Sequence, residues 1–286
     1  MANDPLPSSG LMWPTFVSTI LRSGTQQTTM ILVGHLGSRE LGAVALGTLW
    51  VSMTGMSLVF GGMSGLDTLA SQAFGAKNYE LVGLWAQRAV VVLVLVCFPL
   101  FFSWFYLTGP MLELVGIEPE IAEMAQHFSK IQCLWMFPVF MNRCIQSFWR
   151  AQRIVKPYTN MSYISFLLHI PTCYFFVNRW GFTGAAFSLP VNQWCLMFLL
   201  LTYDYRKRFS AQCWRPWDSA CLSGHAPLLK LAAGGTLTMM GDAWSWHVLS
   251  GMAGLLGECV GHPATSLSLC LCLSLSLSVS RPCLPL

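Results

Sequence analysis

Seven apolar runs, each about twenty residues long, follow one another along this chain with almost no charge inside them. They lie at about 14–36, 41–63, 84–107, 126–149, 158–178, 182–203 and 228–256, separated by polar, Gly or Pro punctuation such as GSRE, GAKNYE and NRWG. A helix needs about 20 mostly apolar residues to cross the hydrocarbon core of a bilayer. Hydrophobic residues make up 54% of the 286 and charged residues 10%, where a soluble domain carries about 25% charged. That is too little charge to coat a water-facing surface. The runs are too long for strands and do not alternate. In lipid, backbone polar groups must also be satisfied within the segment. The expected fold class is an all-α integral membrane protein with about seven transmembrane helices, and the lipid bilayer is its first partner.

Basic residues set the expected orientation. The loops after the second, fourth and sixth runs, with their helix ends, carry Lys77, Arg88, Arg150, Arg153, Lys156, Arg206, Lys207, Arg208, Arg215 and Lys230. The opposite loops carry Arg39 and Arg179, with Lys130 just inside the fourth run. Positive residues stay in the cytosol, so the N-terminus and the GAKNYE loop are expected there. The net charge of +4 then belongs to one membrane face. It does not call for nucleic acid, because no basic stripe with interleaved aromatics stands outside these loops. The 11 cysteines are scattered through apolar runs without a C-x-x-C pair, which suggests neither a disulfide framework nor a metal site. No nucleophile elbow, P-loop or ligand cluster points to an enzyme.

The stretch GGMSGLDTLASQAFGAKNYELVGLWAQRA (61–89) runs from the inner end of the second span into the third. Gly61, Gly62, Gly65 and Gly75 allow close backbone approach. Asp67, Gln72, Gln87 and Arg88 can hydrogen-bond across the hairpin, as a structural clamp or in contact with substrate. The stretch resembles the signature of the multidrug and toxic compound extrusion (MATE) family, in its eukaryotic branch. The matching residues are Asp67-Thr68-Leu69, Gln72, Phe74-Gly75-Ala76 and Gln87-Arg88. Four further stretches resemble that family in order: GHLGSRELGAVALG (34–47), FWRAQRIVKP (148–157), GFTGAAFSLPVNQW (181–194) and LLKLAAGGTLTMMGDAWSWHVLSGMAGLLG (228–257).

The resemblance implies a twelve-helix fold of two six-helix lobes with substrate moving through the cleft between them. This chain would supply the first lobe and the first helix of the second. The implied organisation is a cytosolic tail (1–13), a six-helix lobe (14–204), a cytosolic amphipathic linker (205–226), a seventh helix (227–257) and a Ser/Leu-alternating tail (258–286). The tail is expected to be read-through, with no functional residue in it. The similar ends GHLGSRELGA and GLLGECVGHP, six spans apart, suit an internal repeat. The implied activity is secondary active export of organic compounds or xenobiotics, often cationic, in exchange for protons. The partners would be a small organic cation or metabolite and protons, with no cofactor, in the plasma or vacuolar membrane.

Polar residues inside the spans are the candidate sites. Gln26 and Gln27 sit mid-span in the first run; they bind neighbouring helices or line the cleft. Asp242 stands inside MMGDAWSWHV, where a carboxylate costs at least ~2.5 kcal/mol at the bilayer centre. It is tolerated if it faces a wet cavity, pairs, or holds a proton, and a proton and an organic cation can compete for it. In the eukaryotic MATE branch this helix carries two acids five residues apart. Here Asp242 keeps the first, His247 takes the second place, and Ala243 replaces a tryptophan. An imidazole still titrates near pH 6.5. His169 has a proton role or a packing role.

Two rival classes are a truncated product without transport and a seven-helix receptor. The receptor lacks support: the third span ends FYLTGP, and the seventh contains no proline.

Overall fold

The computed structural model describes residues 8–208, 213–214, 216–217 and 219–260, and every regular element among them is helical. Helix α1 is Ser8–Gly34. Helices α2 (Ser38–Val51) and α3 (Ser57–Gly75) form one rod through a π turn at Ser52–Met56. Helices α4 (Tyr79–Phe102) and α5 (Thr108–Leu114) join through a second π turn at Ser103–Leu107. Helix α6 is Pro119–Ala151, α7 is Lys156–Lys207 and α8 is Ala226–Val260. Among the described residues three stretches, Ser38–Gly75, Tyr79–Leu114 and Lys156–Lys207, are long and apolar enough to cross a membrane. Helices α1 and α6 fall short of that measure, because they carry charged and amide side chains in their middles and turn them toward the interior of the bundle.

Helix α7 is 52 residues long, and at about 1.5 Å per residue it would far exceed a ~30 Å core. It breaks at Gly181, whose φ of 56° and ψ of −129° only glycine adopts at low cost. The two arms fold back on each other. Ser165 Oγ donates to Asn192 Oδ1 at 2.8 Å, and a Cβ on Gly184 would run into the Phe176 carbonyl. The two spans expected at 158–178 and 182–203 are these arms. With α1, the two π-jointed rods, α6 and α8, they make seven helical passes among the described residues.

Neighbouring passes have the directions that alternate crossing requires. Along α1 and the first arm of α7 residue numbers rise together: Thr159 Oγ1 donates to the Pro14 carbonyl at 2.9 Å, and Thr29 meets His169 at 3.1 Å. The first and fifth passes are therefore parallel. Helices α3 and α8 run antiparallel, with Gly61 against Thr236 and Gly65 against Leu228 and Ala232. This seam is a close backbone contact. A Cβ on Gly61 would collide with the Thr236 backbone, and one on Gly65 would lie 2.9 Å from the Leu228 carbonyl. Gly61 and Gly65 are one turn apart, the spacing that brings helices together in lipid. Gly62 and Gly75, grouped with them from sequence, face open space; the helical phase turns them away from the seam.

Both π turns are stitched to the bundle. A π turn displaces carbonyls from the helical ladder, and those groups need partners in an apolar setting. Gln126 of α6 accepts from the Gly109 N–H at 2.7 Å and donates to the Trp104 and Phe105 carbonyls at 3.0 and 2.7 Å. Trp104 Nε1 donates to Thr54 Oγ1 in the other π turn at 2.9 Å. The Trp104 ring is fully buried against Gly55, where a Cβ would clash.

The α3–α8 seam predicts a contrast between adjacent glycines. Gly61→Leu should destabilise the purified protein by about 1–3 kcal/mol through overpacking, read as a lower Tm in detergent. Gly62→Leu should stay within about 0.5 kcal/mol of the parent. Equal effects from the two would contradict the seam.

Candidate functional site

The hairpin stretch singled out in the sequence closes a helix end. Helix α3 finishes in a Schellman turn: Asn78 N–H donates to the Ala73 carbonyl at 3.0 Å and Lys77 N–H to the Phe74 carbonyl at 3.0 Å. Lys77 takes a left-handed φ of 59°, and Asn78 caps α4 by accepting from the Leu81 N–H. Helix α6 ends the same way. Ile154 N–H donates to the Trp149 carbonyl at 2.9 Å, and Arg153 has a φ of 61°.

Asp67 does not pair across this hairpin with Arg88. Its Oδ2 lies 3.7 Å from Arg150 Nη1 of α6, with both side chains about one-third exposed. The reason is placement: Arg150 sits at the end of α6, beside α3. Arg88 instead lies over the Trp85 ring at 4.7 Å and against Gly224 of the linker. Gln87 is buried, and Gln72 is exposed, with its backbone carbonyl accepting from the Ala76 N–H. The linker rests on the bundle: Cys213 and Cys221 are buried and Trp214 meets Phe148 edge-on.

A cavity of about 250 Å³ opens inside the first six passes, among α1, the first π turn, α3, α6 and both arms of α7. Gln26 lines it and Gln27 does not. Its other polar walls come from Arg22 of α1, from Gln132, Asn142, Arg143 and Gln146 of α6, and from Asn192 and Gln193 of α7. Among the described residues no carboxylate lines it. The guanidinium carbons of Arg22 and Arg143 each stand 4.5 Å from the centre of the Phe60 ring, so they are at most twice that distance apart. Two like charges this close repel by about 2 kcal/mol or more at an effective dielectric of about 20. Cation–π contact with the shared ring offsets a similar amount.

The amides around them are only partly satisfied. Asn142 Nδ2 donates to the carbonyl and side-chain oxygens of Gln193 at 3.1 and 3.0 Å, and Arg143 donates to Gln146. Both amide atoms of buried Gln132, Asn142 Oδ1 and Arg143 Nε have no hydrogen-bond partner among the described residues. Assigning basic residues to loops passes over Arg22 and Arg143. The signal for both was a charge inside an apolar run, the signal that marked Asp242.

Asp242 lies outside the cavity lining, on α8, and is exposed. The side chain of His247 lies outside the described residues. His169 of α7 is fully buried against α1, where its Nε2 shares a hydrogen bond with Thr29 and its Nδ1 has no partner among the described residues.

A helical bundle with a polar cavity in its first six passes matches known proteins in sequence and in structure. The family model MatE matches residues 14–175. The chain belongs to the MatE family. It is 33% identical over 251 residues to Protein DETOXIFICATION 16 of Arabidopsis thaliana, covering 86% of this chain and 51% of that protein. It is 29% identical to Multidrug and toxin extrusion protein 1 of Xenopus tropicalis, covering 85% of this chain and 43% of that protein. The crystal structure of the eukaryotic MATE transporter AtDTX14 superposes with a TM-score of 0.75 at 26% identity, over 87% of this chain and 58% of that one. The chain thus spans about half the length of the curated relatives it matches. MatE proteins are transporters, so the apolar passes are those of a membrane transport fold.

A double-mutant cycle tests the clamp. Asp67→Asn and Arg150→Gln should show a coupling of about 0.5–1.5 kcal/mol in thermal unfolding. Asp67→Asn and Arg88→Gln should add to within about 0.3–0.5 kcal/mol. The reverse pattern would place the ion pair wrongly.

Proposed function

We infer that this chain forms the first lobe and the leading second-lobe helix of a proton-coupled exporter of small organic compounds. The observation that carries this reading is Asp242, a carboxylate midway along α8, on the helix that docks through the glycine seam onto the first lobe. An acid at that depth is costly unless it titrates, pairs or meets water. A group that binds a proton on one side and yields it on the other is what exchange requires. An organic cation competing for the same carboxylate would couple its own release to protonation. His247, one turn and a half further on, supplies a second titrating group in place of a second acid. Arg22, Gln26 and the amides of α6 form the first lobe's share of the substrate path, and the clamp of Asp67 and Arg150 holds the inner ends of α3 and α6.

Alternating access needs two lobes rocking about a shared site. We therefore assign transport to a two-lobed protein that contains this chain, and binding to the lobe itself. The basic inner turns favour a cytosolic N-terminus. The domain limits proposed from sequence, with the linker at 205–226, follow the same plan.

The test is proton flux in proteoliposomes loaded with a pH-sensitive dye, using a two-lobed protein that carries residues 1–257. Adding an exported compound such as ethidium should release protons in exchange. Asp242→Asn should reduce that exchange at least tenfold while the Asn and Asp forms stay equally folded. Unchanged exchange would remove Asp242 from the mechanism. The 286-residue chain alone should give no flux.

A further inference from the structure

We propose that the groove at the break of α7 holds one acyl chain of a membrane phospholipid, with the lipid phosphate on Arg179. Such a site is separate from the interior of the bundle and from Asp242, and it needs only that the chain lies in a bilayer.

The groove, about 460 Å³, runs between the two arms of α7. Phe176 and Trp180 line it from the first arm, and Thr183, Phe187 and Val191 from the second. Trp180 is 55% exposed and Val191 41%, so it opens on the outside of the lobe. Its shape follows from the sequence. Gly181 ends the first arm and turns the chain back, and the glycine at 184 lets the arms touch at the Phe176 carbonyl. Residues four apart share a helix face, so each arm contributes one row. The Phe176 and Trp180 rings stack at 5.1 Å with planes 24° apart, which makes the first wall a flat aromatic strip. From Thr183 to Val191 the second wall is about 12 Å long, most of one half of a ~30 Å hydrocarbon core. The Thr183 hydroxyl and the Trp180 indole N–H stand at the break; deeper in, the lining is hydrocarbon and ring carbon. A water-soluble ligand finds no hydrogen bond along such a slot, and an acyl chain needs none.

Charge complementarity selects the head of the occupant. Arg179 is exposed, precedes Trp180 and stands three residues from Phe176, so helical spacing sets it beside the aromatic strip at its surface end. The other two basic residues read toward this end of the bundle are occupied. Arg39 pairs with Glu120 at 2.8 Å, and Lys130 lies 5.5 Å from the centre of the Phe105 ring. Arg179 has no hydrogen bond or ion pair among the described residues. An arginine at the end of a span extends its head to the interface, where a guanidinium matches phosphate with two parallel N–H donors. Indole rings such as Trp180 settle at the same level. An unanswered cation above a hydrocarbon slot fits the two parts of a phospholipid. A sterol would fill the slot and leave Arg179 unanswered; a free phosphate would meet Arg179 and leave the slot empty.

The experiment is native mass spectrometry of the 286-residue chain, delipidated in detergent and titrated with dioleoylphosphatidylglycerol. One lipid should stay bound at collision energies that strip the rest. Arg179→Gln should weaken that adduct at least fivefold, and Arg179→Lys should weaken it less. Val191→Trp fills the deep end without touching the charge and should weaken it several-fold. Arg39→Gln, at the same end of the bundle, should leave it unchanged, as should excess glycerol phosphate, which has the charge but no chain. Equal retention by Arg179→Gln and the parent overturns the proposal, as does an equal loss in Arg39→Gln, which would reduce the effect to surface charge. Displacement by glycerol phosphate overturns the acyl chain, and displacement by ergosterol at equal or lower concentration overturns the phospholipid in favour of a sterol. A lipid retained here but not in a two-lobed protein carrying residues 1–257 gives the groove to the second lobe instead. Absence of any tightly held lipid, in protein whose thermal unfolding is intact, overturns the site too. No gradient and no exported compound enters the measurement, so this site and the proton-exchange reading fail separately.

Discussion

In hydrocarbon an unpartnered peptide group costs several kcal/mol, so each pass of this chain has to be a continuous helix and each interruption has to be repaired where it occurs. The repairs organise the fold. Two π turns lie at the same level because Trp104 of one donates to Thr54 of the other, and Gln126 takes up the carbonyls that the second turn displaces. Gly181 breaks a helix that would otherwise overshoot the membrane. On the side assigned to the cytosol, three helix ends close on Lys77, Arg153 and Arg208 in left-handed conformation. Glycine usually holds that position. Here a cation there also meets the negative end of the helix dipole and adds to the charge that orients the chain.

The interior of the first lobe is the exception to this economy of charge. Helices α1 and α6 are less apolar than their neighbours because they turn Arg22, Gln132 and Arg143 inward. A lobe that needed only to pack would fill this volume with apolar side chains, as the core around Leu66, Ala86 and Phe140 does. Polar atoms held in such surroundings without partners are costly to maintain. Their placement around one cavity sets this lobe apart from a bundle that only packs.

Much of this was legible in the sequence. Span number followed from apolar length and punctuation, and NRWG marked the break at Gly181; the limits did not, since the run ending at 63 continues as helix to Gly75 and the run ending at 107 continues to Leu114. Close approach in the stretch that holds Gly61 and Gly65 followed from its small residues. What was not legible depended on rotation and distance. Gly62 and Gly75 belong to the same small-residue stretch, yet point away from α8. The sequence pointed Asp67 across the hairpin, where Arg88 is the base, and only the packing of α6 beside α3 selects Arg150 instead. Gln26 and Gln27 are adjacent in sequence, but helical phase puts only Gln26 in the cavity. Arg22 and Arg143 are 121 positions apart along the chain, and their meeting at Phe60 is a property of the fold alone.

The reading of Asp242 depends on α8 docking onto the first lobe through the face of α3 that carries Gly61 and Gly65. The most direct test is disulfide cross-linking in membranes, with Ser64→Cys and Gly235→Cys introduced into a chain whose native cysteines are replaced. That pair is expected to cross-link, because a side chain at 235 would meet Ser64, and Gly62→Cys with Gly235→Cys is expected not to. Equal cross-linking by both pairs, or by neither, would contradict the seam.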